Sequence, residues 1–325
     1  MANTNYPFGV SSYGMPIVPT AYGKVYGVGG AGNVTGSNTG STITPGPGSN
    51  VYFVNSSMST ASDAKISNGL SPLRPYKSIN FAVAQCLANN NDVIFVGPGH
   101  VETVAAAAGL AFGVAGVTVI GMGNATDKAT VNLTATASTV TVTAANVTLV
   151  NLLFTTGIDA VATAITPTAA DFTMQDCEFR DAPSKATTIQ IITTAACSRF
   201  RLINYKYVTS TTGTAKTEAV RIVGGADHEL INVRIRGAFS TAVINNVTTL
   251  CSNVMVVNCN LNNVSAVVAV AQLTTSSLNF LGTMLGSATA NGAGSAITAA
   301  STLDTADMAT SICSAGVNIQ FTVGD

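Results

Sequence analysis

Tryptophan is missing from this chain, and charge is scarce: Asp, Glu, Lys and Arg make up 9% of its 325 residues, against about 25% in ordinary soluble domains. With 14 basic and 15 acidic side chains the formal net charge is −1. Neither a basic face for nucleic acid nor a disordered acidic tail is available. Aromatics amount to 6% and there are two histidines, so a saccharide groove lined by aromatics, or a site built on several histidines, has little to draw on. Long apolar runs are lacking too. The stretch 104–117 is Ala- and Gly-rich and shorter than the roughly 20 residues that cross a bilayer. No charged-then-apolar leader opens the sequence, so no secretory signal is expected. A surface with so little charge is poorly protected against association, and an oligomer is expected.

What the chain does have is a repeat. Val93-Ile94-Phe95-Val96-Gly97 is echoed by Val117-Thr118-Val119-Ile120-Gly121 and Val147-Thr148-Leu149-Val150-Asn151. Looser copies are Phe172-Thr173-Met174-Gln175-Asp176, Phe200-Arg201-Leu202-Ile203-Asn204 and His228-Glu229-Leu230-Ile231-Asn232. Val254-Met255-Val256-Val257-Asn258 and Leu278-Asn279-Phe280-Leu281-Gly282 complete the series. The closing residues recur every 24 to 30 positions. One β-type unit per period of this length is the signature of a solenoid. At about 3.3 Å per residue, such a period holds three short strands and three turns. Positions one and three of each line are apolar almost throughout, the period-2 pattern of a strand with one face buried. The closing position is Gly97, Gly121, Asn151, Asp176, Asn204, Asn232, Asn258 and Gly282. These residue types tolerate left-handed backbone, and stacked Asn side chains can form a hydrogen-bonded ladder.

A second apolar line follows the turn: Leu152/Phe154, Cys177/Phe179, Tyr205/Tyr207, Val233/Ile235, Cys259/Leu261. A third runs Ala164-Ile165, Thr188-Ile189, Ala219-Val220, Ala242-Val243, Ala266-Val267. Near the start, Ile79, Ala82, Val83, Cys86 and Leu87 form one helical stripe. The six cysteines do not read as disulfides. Cys177 and Cys259 hold the same place three rungs apart, roughly 14 Å at about 4.8 Å per rung, beyond the ~7 Å a disulfide spans. Their spacing fits no zinc motif.

The segments Asn68-Gly69-Leu70-Ser71-Pro72, Ser78–Ala84 and Asn91–His100 resemble the start of proteins in the parallel β-helix superfamily typified by pectate lyases and phage tailspikes. Asp92–Glu102 and the stretch Met1–Pro16 are similar to a family of bacteriophage structural proteins. The resemblance implies an all-β fold, a right-handed parallel β-helix: a single-stranded solenoid of about eight rungs, with a short N-terminal capping helix and an extended N-terminal arm. It further implies a virion component on the outside of a phage head, a non-enzymatic cement or decoration protein assembled in the host cytoplasm. Its partners would be itself, as a homotrimer, and the major capsid protein. No cofactor, nucleic acid or membrane is called for. The alternative is a tailspike-like receptor-binding protein that binds or cleaves host polysaccharide.

The expected segments are 1–50 as anchoring arm and linker, 51–115 as opening strand and capping helix, 116–285 as the parallel β-helix, and 286–325 as a C-terminal capping or oligomerisation segment. The arm carries isolated apolar anchors, with Tyr6, Phe8, Tyr13, Met15, Tyr22 and Tyr26 as the candidates for gripping a capsid. The fourth position of the repeated line reads Val96, Ile120, Val150, Gln175, Ile203, Ile231, Val257 and Leu281. Outward-facing, its seven apolar members would form an oligomer stripe; a bulge at the turn would instead point them inward. The charged residues Glu178, Arg180, Lys206, Arg234 and Arg236 should fall on one strip of the middle rungs. That strip is either a saccharide site or a solvated face with weak cross-rung ion pairs. No pair of Asp at glycosidase spacing is apparent. His100 is expected to bond backbone, and His228 occupies an apolar slot, as a satisfied core histidine does.

Overall fold

The computed structural model describes residues 49–64, 68–207, 216–246, 249, 251–264 and 283 in full. It adds the backbone of short strands on either side. The chain divides into two compact units, 1–102 with 114–130, and 103–113 with 131–325.

In the first unit the strands Val51–Val54, Val93–Val96 and Thr118–Gly121 lie parallel, with Phe53 opposite Phe95 and Phe95 opposite Ile120. The opening strand is therefore already part of a parallel sheet. The helix Ile79–Gln85 starts where Ser78 Oγ accepts the Phe81 N–H at 3.2 Å. The Glu102 carboxylate accepts the Ile79 N–H at 2.8 Å. Both satisfy N–H groups that a helix start leaves unpaired. Ile79, Ala82 and Val83 are buried. Leu87, placed on that stripe by the sequence, is 60% exposed, because the backbone turns extended at Cys86 (ψ 153°) and the helix stops. In the arm, Val25–Val28 pairs antiparallel with Ile17–Pro19 and Val34–Gly36. Part of the expected linker is thus strand. Phe8, Tyr13, Met15 and Tyr22, and the side chains of Tyr6 and Tyr26, lie outside the described residues.

The second unit is a parallel β-helix of about six turns. Its first sheet stacks Thr148–Val150, Thr173–Gln175, Arg201–Ile203, Ala226–Ile231, Ser252–Val257 and Leu278–Leu281. The second stacks Leu153–Thr156, Glu178–Arg180, Lys206–Val208, Arg234–Gly237, Asn260–Asn263 and Met284–Ser287. The third runs from Leu110–Phe112 and Val140–Val142 through Val161–Pro167, Thr187–Ile192, Glu218–Arg221 and Ala242–Asn246 to Ala271–Leu273. Each of the eight repeated lines contains a strand. On the third sheet the true tier is Ile165, Ile191, Val220, Ile244. Thr188-Ile189 and Ala242-Val243 sit off the tier on which the sequence placed them, since Ala and Thr leave the apolar pattern there too weak to fix register. Ile297–Ala299 and Ile312–Cys313 pair parallel with Ala271–Leu273 and Met284–Ser287, so part of segment 286–325 extends the sheets.

Packing is like upon like. Leu149, Met174, Leu202, Leu230 and Val256 fill the first sheet's inner column, and Phe154, Phe179, Tyr207, Ile235 and Leu261 fill the second's; all are fully buried. The five described cysteines are buried and unpaired in disulfides. Burial pushes the Cys86 and Cys197 thiols up to about 12, which leaves them unreactive at neutral pH.

The corner between the first two sheets explains its residue choice. Asn151, Asp176, Asn204, Asn232 and Asn258 all have φ between 50° and 56°, the left-handed region that other L-residues avoid at about 1–2 kcal/mol. Asn204 Nδ2 donates to Asp176 Oδ1 at 2.9 Å, and Asn232 Nδ2 to Asn204 Oδ1 at 3.2 Å. Gly97 and Gly121 are not left-handed. At Gly97 the reason for glycine is space, because a Cβ would come within 2.5 Å of the Asn55 side chain. Gly282 lies outside the described residues. Asn204→Ala is expected to lower stability by about 1–2 kcal/mol, and Asn204→Gly, which keeps the backbone and loses the amide, by less. Chemical denaturation of the two variants side by side checks the order.

Candidate functional site

On the second sheet, outward residues alternate with the buried column. The register sets Glu178 beside Lys206, Lys206 beside Arg234, and Arg234 beside Asn260. Two residues along, Val208 lies beside Arg236 and Arg236 beside Asn262. The charged strip is therefore contiguous. Glu178 holds Arg180 through two bonds of 2.8 and 2.9 Å and Lys206 at 3.4 Å. Arg234 and Arg236 are exposed, with no carboxylate partner among the described residues. The strip so carries four cations for one carboxylate.

The neighbouring faces are more fully neutralised. Arg201 bonds Glu229 at 2.8 Å across the first sheet. Arg199 grips Asp171 at 2.5 and 2.7 Å, and the hydrogen bond to the guanidinium holds the Asp171 carboxyl below its ordinary value. On the third sheet Arg221 grips the buried Glu218 at 2.5 and 2.9 Å, and Asn245 Nδ2 donates to the same carboxylate.

Two features escaped the sequence reading. One is a second left-handed corner: Gly116, Asn146, Asp171, Arg199, Asp227 and Asn253 all have positive φ. Each stands five residues ahead of a closing residue of the repeated line. That offset, occupied by Gly, Asn or Asp in five of six cases, was the available signal. The other is a buried polar cluster. Lys216 Nζ lies 3.4 Å from Asp181 Oδ2, both side chains 1% exposed, and Tyr207 donates to the same oxygen at 2.6 Å. Nothing in the spacing of 181, 207 and 216 announces it, because the three meet only when successive coils stack.

The expected apolar stripe is not continuous. Val96, Ile120 and Val150 are buried; the strand of Val96 is buried on both faces, Ile94 included. Ile203, Ile231 and Val257 are half-buried, and the Leu281 side chain lies outside the described residues. His100 is buried, accepts the Ser56 N–H at Nδ1 (2.9 Å) and lies 3.1 Å from Glu102 through Nε2. Among the described residues no three His, Cys, Asp or Glu side chains cluster as metal ligands do.

His228 is fully buried, with Nε2 2.9 Å from the Gly224 carbonyl and no partner for Nδ1 among the described residues. Burial pushes its pKa below the ordinary histidine value, against smaller opposing effects of Gly224 and Asp227. The unfolded imidazole protonates near pH 6.5, so in that range the unfolded chain binds more protons. Stability is therefore intact above about pH 6.5 and falls as pH drops below it. Denaturation midpoints between pH 8 and 5 are expected to show this fall, and His228→Leu to flatten it.

No protein-family model and no curated protein matches the chain. Among solved structures it is similar to pectate lyase Pel9A, with TM-score 0.56 and 12% identity over 83% of this chain and 77% of that one. It is also similar to a rhamnogalacturonan lyase (TM-score 0.45, 10% identity, 82% and 87% covered) and to ORF18 of Geobacillus virus E2 (0.30, 10%, 86% and 68%). At these identities the first likeness shows the fold, a right-handed parallel β-helix, and the other two are too distant in structure to add to it.

Proposed function

We propose that this chain is a non-enzymatic structural protein of a phage virion, a cement or decoration protein on the capsid exterior that works as a homotrimer against the major capsid protein. The observation that carries this reading is the state of the carboxylates on the middle rungs. Glu178, Glu229, Asp171 and Glu218 are each tied to a guanidinium. A carboxylate already bonded to a guanidinium is engaged by that charge-assisted pair, where hydrolysis of a glycoside needs two available carboxyl groups at defined separation. The half-buried column Ile203, Ile231, Val257 supplies a short apolar strip for self-association. Immunogold labelling of intact virions with antibody against residues 116–285 tests the reading. Label over the whole head is expected; label confined to the tail, or to no particle, overturns it. Ile231→Asp is expected to reduce the trimer to monomer in light scattering.

A second reading rests on Arg234 and Arg236. Exposed cations without carboxylate partners among the described residues, in register with Asn260 and Asn262, suit the carboxylates of an acidic polysaccharide. Binding to polyuronate that weakens with salt and is lost in Arg234→Ala/Arg236→Ala would favour it. Release of unsaturated uronates would add catalysis.

A further inference from the structure

The buried pair of Lys216 and Asp181 is used by neither reading, and its chemistry allows more than attraction. Lys216 Nζ lies 3.4 Å from Asp181 Oδ2, and each side chain is 1% exposed. Tyr207, itself fully buried, donates its hydroxyl to the same Oδ2 at 2.6 Å. The arginine pairs are inert by comparison. Arg180, Arg199, Arg201 and Arg221 present guanidinium groups, which stay charged and are not nucleophiles. Lys206, which meets Glu178, has a side chain 52% exposed, so water competes there. Asp181 and Lys216 also stand on successive coils. Phe179 lies opposite Tyr207, and Ile189 opposite Glu218, so Asp181 follows a strand of one coil while Tyr207 and Lys216 flank the corner of the next.

We propose that Lys216 and Asp181 condense to an intramolecular isopeptide bond. Transfer of one proton from Nζ to Oδ2 leaves an amine beside a carboxylic acid, with Cγ one bond beyond Oδ2. Groups held together in this way react as though at effective concentrations of about 10⁵–10⁸ M. The Nζ lone pair attacks Cγ, the Nζ–Cγ bond forms and the Cγ–Oδ2 bond breaks. Oδ2 leaves as water, carrying the first proton and a second released by Nζ, while the Tyr207 hydroxyl supports the departing oxygen as a general acid. An ammonium and a carboxylate thus become a secondary amide and one water, and nothing is oxidised or reduced. The product is neutral, so the cost of keeping two charges out of water is removed. Condensation follows folding, which alone brings 181 and 216 together; the freshly folded chain holds the pair as ions. Coils of a solenoid are otherwise held by neighbour contacts, and the new bond ties two of them covalently, restricting the unfolded chain as a disulfide does. The bond does not depend on where the protein sits in a virion.

Mass spectrometry of the full chain, incubated folded at neutral pH and then fully denatured, tests this. An intact mass one water below that of the sequence is expected. Trypsin cuts after Arg180, Lys185, Lys206 and Arg221 but not at an acylated Lys216, so digestion should yield a branched peptide joining 181–185 to 207–221. Lys216→Arg keeps the cation and cannot condense, and is expected to show the full sequence mass. Tyr207→Phe should form the link roughly a hundredfold more slowly, the scale for losing a general acid, with circular dichroism checking that it folds. Full mass in the parent chain after prolonged incubation would overturn the inference. So would a one-water deficit that persists in Lys216→Arg, as a succinimide would, or a branch that maps to another lysine. An unchanged rate in folded Tyr207→Phe would overturn the part assigned to the hydroxyl.

Discussion

Lys216→Met is expected to destabilise the fold by about 3–5 kcal/mol, the scale for removing one partner of a buried ion pair. Lys216 and Asp181 are each 1% exposed. Truncating the cation leaves the carboxylate in a low-dielectric interior with the Tyr207 hydroxyl as a remaining donor, and a buried uncompensated charge is far costlier than a pair never formed. The double variant Lys216→Met/Asp181→Leu is expected to recover most of the loss, since apolar side chains of similar volume can replace a buried pair with little penalty. Urea denaturation of the two single variants and the double variant decides the matter. If Lys216→Met alone is as stable as the parent, the pair does not hold this corner together.

Phe179→Ala should have an effect of similar size, about 3–5 kcal/mol, as for other buried Phe truncations. The ring lies between Phe154, parallel at 6.4 Å, and Tyr207, edge-on at 5.6 Å, and Tyr207 continues to Phe239 at 6.0 Å. Removing it opens a cavity in the stack and breaks two aromatic contacts at once. Because each coil of a solenoid touches only its neighbours, the damage should be local. Amide exchange is expected to accelerate across 153–208 while 252–263 keeps its protection. Uniform acceleration along the whole unit would mean instead that it unfolds as one cooperative body.

Periodicity told most about this chain. Val147/Leu149 and Phe172/Met174 alternate too regularly for anything but half-buried strand, and the 24- to 30-residue spacing leaves a solenoid as the economical way to stack them. The Asn and Asp closings were legible because left-handed backbone admits few residue types. The charged strip was legible because parallel in-register pairing carries Glu178, Lys206 and Arg234 to one column. The third sheet was misregistered because Ala and Thr suit either face. The apolar stripe was not legible as one surface, because alternation along a strand does not say what covers its second face, and Val96, Ile120 and Val150 are buried while Ile203, Ile231 and Val257 are half-buried.

The sequence by itself determined the coil, its first two strand sets and the chemistry of the main turn, because each depends on residues close together in the chain and repeated many times. The tertiary structure alone decided what the coils bring together. The Lys216–Asp181–Tyr207 cluster, the Arg201–Glu229 and Arg199–Asp171 pairs, and the seat of His100 against Ser56 all join residues from separate turns or loops. Such contacts leave no periodic trace, since each occurs once and is set by the stacking and side-chain packing around it.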